Sequence, residues 1–493
     1  MKREYLPVGT LPSWTKLNGI IVNGVAFQKL QTEDVVDKGT AIVATEDTSS
    51  EDAEANESDS IVLLSIPSDM ILSLQSVENH AKSDHHLREV LDAVGDFGRT
   101  ARGATLIFLI MQVTHSSPDF ANEPHKIGLS NPWTEYIKYI PPSILLPTFY
   151  TEEELELLQG TSLRLAVDTK VISLEREFEH LRKSTEGISW CNRLWWSEET
   201  GKFTFDDWRY VDAVYRSRVV DLPGSGHSMV PCIDMANHAS EDTVKALYDE
   251  GAEGNAVLLL RRGRKLSAGD EVTISYGDEK PASEMIFSYG FLDNGRESAN
   301  QIFLDLDIPD DDPLKMAKLA FNKDVPGIRL FSSEAGSTNW DSPFVWWACV
   351  NEEDGLGFNV LQTNDGGREL RARWKEAEVE LSSSLRDRLA TDPLWDVFQL
   401  RAVVIILDRL EAQLVTLRQT QGVVVEISQD ENMLTIFRPG VLSTIMKLRE
   451  LEAELLERGI EDLARQRDTL MVSQTVSAYL GSQHSVDIEE DFS

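Results

Sequence analysis

The sequence predicts an α+β protein in which two β-rich segments are separated by a helical insertion and followed by a helical region. Three observations lead there. Short strand-like runs, Ile20-Ile21-Val22 and IVLLSIP, gather near the start and return after about residue 229. Between them, from about 84 to 215, apolar residues recur at helical spacing, and beyond the acidic stretch DLDIPDDDP at 305–313 helical patterning resumes to about 480.

The elements follow in order. DKGTAIVATED, after the first apolar run, reads as strand, tight turn and strand, because glycine relieves the backbone at a corner. Residues 46–59, EDTSSEDAEANESD, hold seven acids, no base and no large apolar group, so a solvated loop or disordered insertion is expected. IVLLSIP is a strand stopped by Pro67. ATLIFLIMQV is a buried helix, the segment 131–147 a proline-rich interruption, and TEEELELLQG a helix start with acids in its first turn. In FTFDDWRYVDAVYRSRVV, Phe205, Trp208, Val211 and Tyr215 recur at three- and four-residue steps and mark a helix with an aromatic face. Strand-like runs return in NAVLLLRRGRKLSAGDEVTISYGD, broken at Ala268-Gly269 and Gly277. Late in the chain Leu442, Ile445, Leu448, Leu451 and Leu455 form one apolar stripe, read as core rather than as a partner-binding zipper. No internal repeat is seen.

Composition narrows the classes. A chain of 493 residues exceeds what one core usually supports, so two or three domains are expected. The opening MKREYLPVGTLPSWTK has no apolar stretch behind its basic residues, and no later run approaches the roughly 18 apolar residues of a membrane span, so a soluble, intracellular protein, cytoplasmic and/or nuclear, with no membrane partner, is expected. The formal charge of −36 disfavours direct nucleic-acid binding and suits a basic protein partner, though acidity also serves solubility alone. Cys191, Cys232 and Cys349 are too few and too scattered for a disulfide framework or a zinc cluster.

Several motifs are set aside. Gly226-His227-Ser228-Met229-Val230 begins like a nucleophile elbow but lacks its final glycine. No G-x-G-x-x-G follows an early strand, which leaves a Rossmann-type methyltransferase unsupported. His80, His85 and His86 cluster without cysteine or carboxylate partners at ligand spacing, so no metal is assigned.

Two patches remain: Asp234-Met235-Ala236-Asn237-His238, and Gly269-Asp270-Glu271-Val272-Thr273-Ile274-Ser275-Tyr276-Gly277 followed by Ser288-Tyr289-Gly290-Phe291. Together they resemble the paired hallmarks of the SET domain, in the subfamily typified by the methyltransferase of the ribulose-bisphosphate carboxylase large subunit. In that group a D-x-x-N-H segment precedes a G-[DE]-E-V-x-I-x-Y-G strand and a second Y-G-F. Trp133 to Pro141, Leu155 to Leu163, and Arg216-Ser217-Arg218 with Met229-Val230-Pro231 are similar to the same subfamily in order and spacing. The resemblance covers roughly residues 15–300, and the C-terminal region in character and length.

The resemblance implies a SET domain of small, irregular β-sheets over 15–300, with the helical insertion at about 84–215 and the acidic loop at 46–59. It further implies a mostly helical substrate-binding domain over 305–480; residues 481–493 then form an acidic tail. It implies a protein-lysine N-methyltransferase that uses S-adenosylmethionine on a non-histone protein such as a ribosomal protein or translation factor, and a monomer is expected. Tyr276 matches the family's essential tyrosine. Asn237 and His238 match the pair that holds the cofactor, Lys38, Gly39, Thr40 and Ala41 the first-hairpin turn at its amino-acid end, and Tyr289 and Phe291 positions beside cofactor and lysine channel. Ser217, Arg218 and Asp234 match positions lining the two sites; capping or core hydrogen bonding serves Asp234 and Ser217 equally well, and a structural ion pair Arg218. Gly39 stands in a sparser glycine pattern than the family's, and Ala239 follows Asn-His where serine or threonine is frequent. Two rivals stay open: a histidine methyltransferase of the same fold, and a SET-fold binding module without catalysis.

The chemistry suits the residue types. A methyl on a sulfonium must face the attacking nitrogen in line, so orientation outweighs acid-base power. A narrow, poorly hydrated channel beside that positive charge lowers the pKa of a lysine ammonium. Tyr276, Tyr289 and Phe291 supply aromatic walls for such a channel.

Overall fold

The computed structural model describes all residues except 32–36, 50–60, 124–125, 294, 323–326, 334–335, 363–366, 382–383, 431–434, 439 and 482–493. The chain divides into two compact units. The first comprises Met1–Thr151, Ala166–Glu279 and Ile286–Asp293; the second comprises Glu152–Leu165, Lys280–Met285 and Asn294–Ser493.

In the first unit the sheets are small and antiparallel. After a short helix, Leu11–Leu17, strands β1 (Ile21–Val22), β2 (Val25–Gln31), β3 (Asp37–Ala44), β4 (Thr48–Ser49) and β5 (Val62–Ile66) precede the helical insertion; β6 (Val219–Leu222), β7 (Gly226–Met229), β8 (Ala246–Glu250), β9 (Ala256–Leu260) and β10 (Lys265–Leu266) follow it. The largest sheet has four strands in the order β1-β5-β9-β8, and β2–β3, β6–β7 and β4–β10 form separate pairs. The alternation in AVLLL places Ala256, Leu258 and Leu260 in the core. The sequence predicts a turn at Gly39. Gly39 instead lies inside β3, opposite Leu30 and beside a register shift, and its φ of +82° is one glycine meets without a Cβ penalty.

Of the acidic insertion expected over 46–59, Glu46 and Asp47 are exposed outside any strand, but Thr48 and Ser49 form a short strand. Thr48 and Ser49 pair with Leu266 and Lys265, and Asp47 accepts the Ala268 amide at 2.9 Å. The remainder of the insertion lies outside the described residues, as do residues 482–493 of the expected tail.

The helix Ala101–Ser116 is apolar all round because it is buried all round: every residue from Gly103 to Thr114 is in the core. Beside it runs the helix Phe205–Arg218, whose start is fixed by a Thr204/Asp207 capping box. Asp212 on that helix is 1% exposed yet stays charged, because Arg102 (2.7 Å), Lys170 (2.9 Å) and Arg216 (3.3 Å) surround it. Burial alone would raise its pKa, but the three cations outweigh burial and hold it below the usual carboxylate range.

The second unit ends in the helical region the sequence predicts, but strands come first. Before its long helices come two three-stranded antiparallel sheets, β11 (Gln301–Asp305), β12 (Gly327–Ser332) and β13 (Thr338–Asp341), then β14 (Leu356–Gln362), β15 (Arg368–Trp374) and β16 (Ala377–Val379), with the short helices Lys315–Phe321 and Val345–Ala348 between strands. Helix dominates only from Leu385, in the long helices Trp395–Gln429 and Val441–Met471. The leucine stripe is core, with Ile445, Leu448, Leu451 and Leu455 buried. Residues 152–165, which the sequence reading places in the first domain, belong here through long-range polar contacts. Glu154 is fully buried against Arg438, Ser162 donates its amide to Glu452 at 2.9 Å, and Arg449 donates to the carbonyls of Leu157 (3.0 Å) and Gln159 (2.6 Å).

Candidate active site

The site forms where the segment 269–276, which makes isolated bridges at Glu271 and Ile274 rather than a continuous strand, is shared between two partners. Its first half pairs with the end of β3: Gly269 donates to Ala44 and Val272 to Ile42, both at 2.8 Å. Its second half pairs with the segment after Met235: Ile274 donates to the Asn237 carbonyl at 2.9 Å, and Ala239 donates back to Ile274 at 3.1 Å. Val272, Thr273 and Ile274 are all buried, and the chain bends at Tyr276, which is half-buried.

Tyr276 is the centre of the arrangement. Its hydroxyl donates to the Ala236 carbonyl at 2.9 Å, and its amide donates to Nδ1 of His238 at 3.0 Å. Its ring stacks against His238 at 5.2 Å and lies 4.4 Å from the ring of Tyr289 and 6.5 Å from that of Phe291. The residue is half-buried, and burial around its hydroxyl, opposed by the positive charge of Arg218, pushes the hydroxyl pKa above its ordinary value. Tyr276 therefore stays a neutral phenol near pH 7. It can orient a partner through its oxygen but is a poor proton acceptor.

Tyr289 and Phe291 come from the end of the helix Ala282–Tyr289. That end is tied to the helix Phe205–Arg218 by Arg216, which donates to the Phe287 carbonyl and, at 3.1 Å, to Thr148. Gly290 (φ +85°) passes so close to the Leu145 carbonyl that a Cβ would stand 2.5 Å from it, so only glycine lets the aromatic pair turn at this point.

Arg218 and Asp234 form a buried pair at 3.1 Å, with Asp234 1% exposed. Burial raises the Asp234 pKa above its ordinary value, against the opposing pull of Arg218 and Tyr136. For Arg218 burial disfavours the charge, but Asp234 outweighs it and the guanidinium pKa rises. The ion-pair alternative for Arg218 is thus realised in this geometry. Its Nε is buried without a partner, as is the Thr40 hydroxyl in β3. Ser217 is turned away: its hydroxyl donates to the Ala213 carbonyl of its own helix at 2.7 Å. The Asn237 amide donates to Glu271 at 2.7 Å. Thr40 and Ala41 sit in β3 opposite Lys29 and Gln28, with Ala41 fully buried; Lys38 precedes them in the same strand.

Three residues with structural parts here carry no role in the sequence reading. Tyr136 is fully buried, donates to Asp234 and accepts the Cys232 amide at 2.8 Å. It is set by a five-residue helix, Pro132–Tyr136, whose capping box pairs Asn131 with Thr134. Glu271 binds Asn237, and Asp293 lies 3.2 Å from Nε2 of His238. Glu271 stands inside the Gly269–Gly277 string, which is the signal that could have found it; Asp293 lies two residues beyond Phe291 and has no such signal. Among the described residues no group of three or more His, Cys, Asp or Glu side chains is placed to hold a metal, and no helix is long and apolar enough to cross a membrane.

No family model matches the chain. Among curated proteins it is 28% identical over 302 residues to SET domain-containing protein 8 of Schizosaccharomyces pombe, covering 61% of this chain and 65% of that protein, just under two thirds of its length. It is 23% identical over 479 residues to the actin-histidine N-methyltransferase of Mus musculus, covering 95% of this chain and 70% of the relative. It is 28% identical over 193 residues to the chloroplastic fructose-bisphosphate aldolase-lysine N-methyltransferase of Arabidopsis thaliana, covering 38% of this chain and 39% of the relative. Among solved structures it matches the SET domain of LSMT bound to lysine and AdoHcy with a TM-score of 0.63 at 17% identity, over 94% of this chain and 92% of the other. That likeness is one of fold, and it takes in the helical C-terminal region as well as the small sheets.

Proposed function

We propose that this chain, a member of the SET-domain methyltransferase family with the architecture of LSMT, transfers methyl groups from S-adenosylmethionine to lysine side chains of a non-histone protein. The observation that carries the reading is the enclosed Tyr276 hydroxyl, fixed on the Ala236 carbonyl within a wall of His238, Tyr289 and Phe291.

The residues present fit that cofactor. Thr40 Oγ1 and Arg218 Nε are each buried polar atoms without partners, and polar groups of a ligand are one way to satisfy such atoms. The backbone of Lys38 to Ala41, with Asn237 and His238, completes the proposed holding set; when bound, S-adenosylmethionine supplies a methyl group on a cationic sulfur. The aromatic faces of Tyr276, Tyr289 and Phe291 favour a cation and exclude water. For the incoming amine, the Tyr276 oxygen and the Ala236 carbonyl are acceptors for N–H groups, so the nitrogen lone pair is left to face the methyl. Arg218 lines this channel with its charge balanced by Asp234. Ser217, its hydroxyl spent within its helix, contributes shape rather than a polar contact.

A histidine acceptor is the second reading, favoured by one observation: the alignment with the actin-histidine enzyme spans 95% of this chain, that with the aldolase-lysine enzyme 38%. Tandem mass spectrometry of the methylated product separates them, with added mass on a lysine side chain expected and mass on an imidazole overturning the lysine assignment. A ribosomal protein or translation factor as partner rests on the resemblance and on the −36 charge, which attracts basic segments. The relatives are named for other proteins, actin and aldolase. A SET-fold binding module would bind the cofactor analogue and transfer nothing.

A further inference from the structure

The three motif strings of the site meet on one imidazole. His238, its side chain 1% exposed, has two polar partners: Nδ1 accepts the Tyr276 amide at 3.0 Å, and Nε2 lies 3.2 Å from a carboxylate oxygen of Asp293. The chemistry of these partners leaves one protonation form. A backbone N–H only donates, so Nδ1 must be bare; an ionised carboxylate only accepts, so Nε2 must carry the proton. A proton on Nδ1 would set donor against donor and release the Tyr276 amide.

That amide matters because of where it sits. It anchors the residue whose ring stacks on the same imidazole at 5.2 Å and whose hydroxyl, at the far end, rests on Ala236 at 2.9 Å. Asp293 comes two residues after Phe291, whose ring also faces His238 at 6.2 Å. The line Asp293, His238, Tyr276 therefore joins the Y-G-F segment, the Asn-His segment and the Tyr-Gly segment through hydrogen bonds to a single ring. Asp293 is 31% exposed at its side chain and lies beyond the quoted motifs, so neither burial nor the motif strings mark it.

We propose that Asp293 is a positioning residue for methyl transfer: it holds His238 in the Nε2–H form, and His238 in that form fixes the backbone of Tyr276. The assignment rests on the reading of Tyr276 as the catalytic tyrosine. It claims no contact between Asp293 and either substrate.

The test uses the full chain, uniformly labelled with ¹⁵N, and long-range proton–nitrogen correlation of the histidine rings, with the His238 signals identified by their loss in His238→Gln. In the wild type His238 is expected to show the pattern of the Nε2–H form. In Asp293→Ala the pattern should shift toward a tautomer mixture, and turnover should fall roughly tenfold with the S-adenosylmethionine KM little changed, because a displaced group costs rate rather than cofactor affinity. Asp293→Asn, whose amide oxygen can still accept from Nε2, should recover the Nε2–H pattern and most of the turnover. An Nδ1–H or doubly protonated His238 in the wild type overturns the proposal, as does an Asp293→Ala variant with an unshifted ring pattern or undiminished turnover. The spectra need no substrate, so an error in the assigned reaction appears separately, as a wild type that transfers no methyl group while its tautomer is read all the same.

Discussion

The Tyr276 hydroxyl and the Ala236 carbonyl lie 2.9 Å apart, joining the end of one motif segment to the residue just before Asn237-His238. Replacing Tyr276 by Phe removes one hydroxyl and leaves the stacked rings in place. Turnover is expected to fall by about tenfold or more, through lost orientation, with cofactor affinity largely retained. Steady-state kinetics beside calorimetric titration with S-adenosylhomocysteine checks both halves.

Tyr136 holds the loop beneath this site. Its hydroxyl accepts the amide of Cys232, a non-glycine residue at φ +71°, and donates to Asp234. Tyr136→Phe leaves that amide without an acceptor and Asp234 short of a donor, a loss of about 1–3 kcal/mol in stability. Urea unfolding of the two proteins measures it.

Arg449 is 1% exposed, with its donors shared among the carbonyls of Leu157, Gln159 and Leu417 and the side chains of Thr420 and Gln421. A lysine ammonium cannot span that planar set. Arg449→Lys should cost about 3 kcal/mol or more, since several buried carbonyls lose their donor together. An unchanged denaturation midpoint would count against this account of how residues 152–165 are held.

Glu452 sets a pH dependence. Burial pushes its carboxyl up to about 7, against the pull of the Ser162 hydroxyl and amide and of Arg449. The folded state thus holds the proton more tightly than the unfolded chain, whose carboxyl titrates near its ordinary value of 4.5. The stabilising contribution is fully present below pH 4.5 and is lost as pH rises to about 7, by about 3 kcal/mol across the window. Glu452→Gln, which cannot ionise, should flatten this part of the stability profile. Equal slopes for the two proteins between pH 5 and 7 would refute it.

How far the sequence spoke depended on whether a residue's partner was near it in the chain. Tyr276, Tyr289, Phe291 and the Asn237-His238 pair were legible because short strings carry them, and the structure brings those strings to one place. The stripe through Ile445, Leu448 and Leu451 was legible because helical periodicity alone defines it. β14 was missed: LGFNVLQ buries only its first residue well and leaves four of seven exposed, so it has no clean alternation to read. Glu154 read as a first-turn acid because its true partner, Arg438, lies 284 residues away. Tyr136 looked like any core aromatic, since nothing local reveals that its hydroxyl holds Asp234. Ser217 matched a motif position, but its hydroxyl is taken by the Ala213 carbonyl one turn back in its own helix.

The central claim is that this chain moves methyl groups from S-adenosylmethionine to another protein, with Tyr276 at the point of transfer. Its most direct measurement is incubation of the purified chain with methyl-labelled S-adenosylmethionine and an extract from cells lacking it, beside the Tyr276→Phe variant. The account predicts label on a discrete protein with the wild type, and about tenfold less with the variant. Wild-type protein that binds S-adenosylmethionine yet labels nothing, or a variant that labels as fast as wild type, would contradict it.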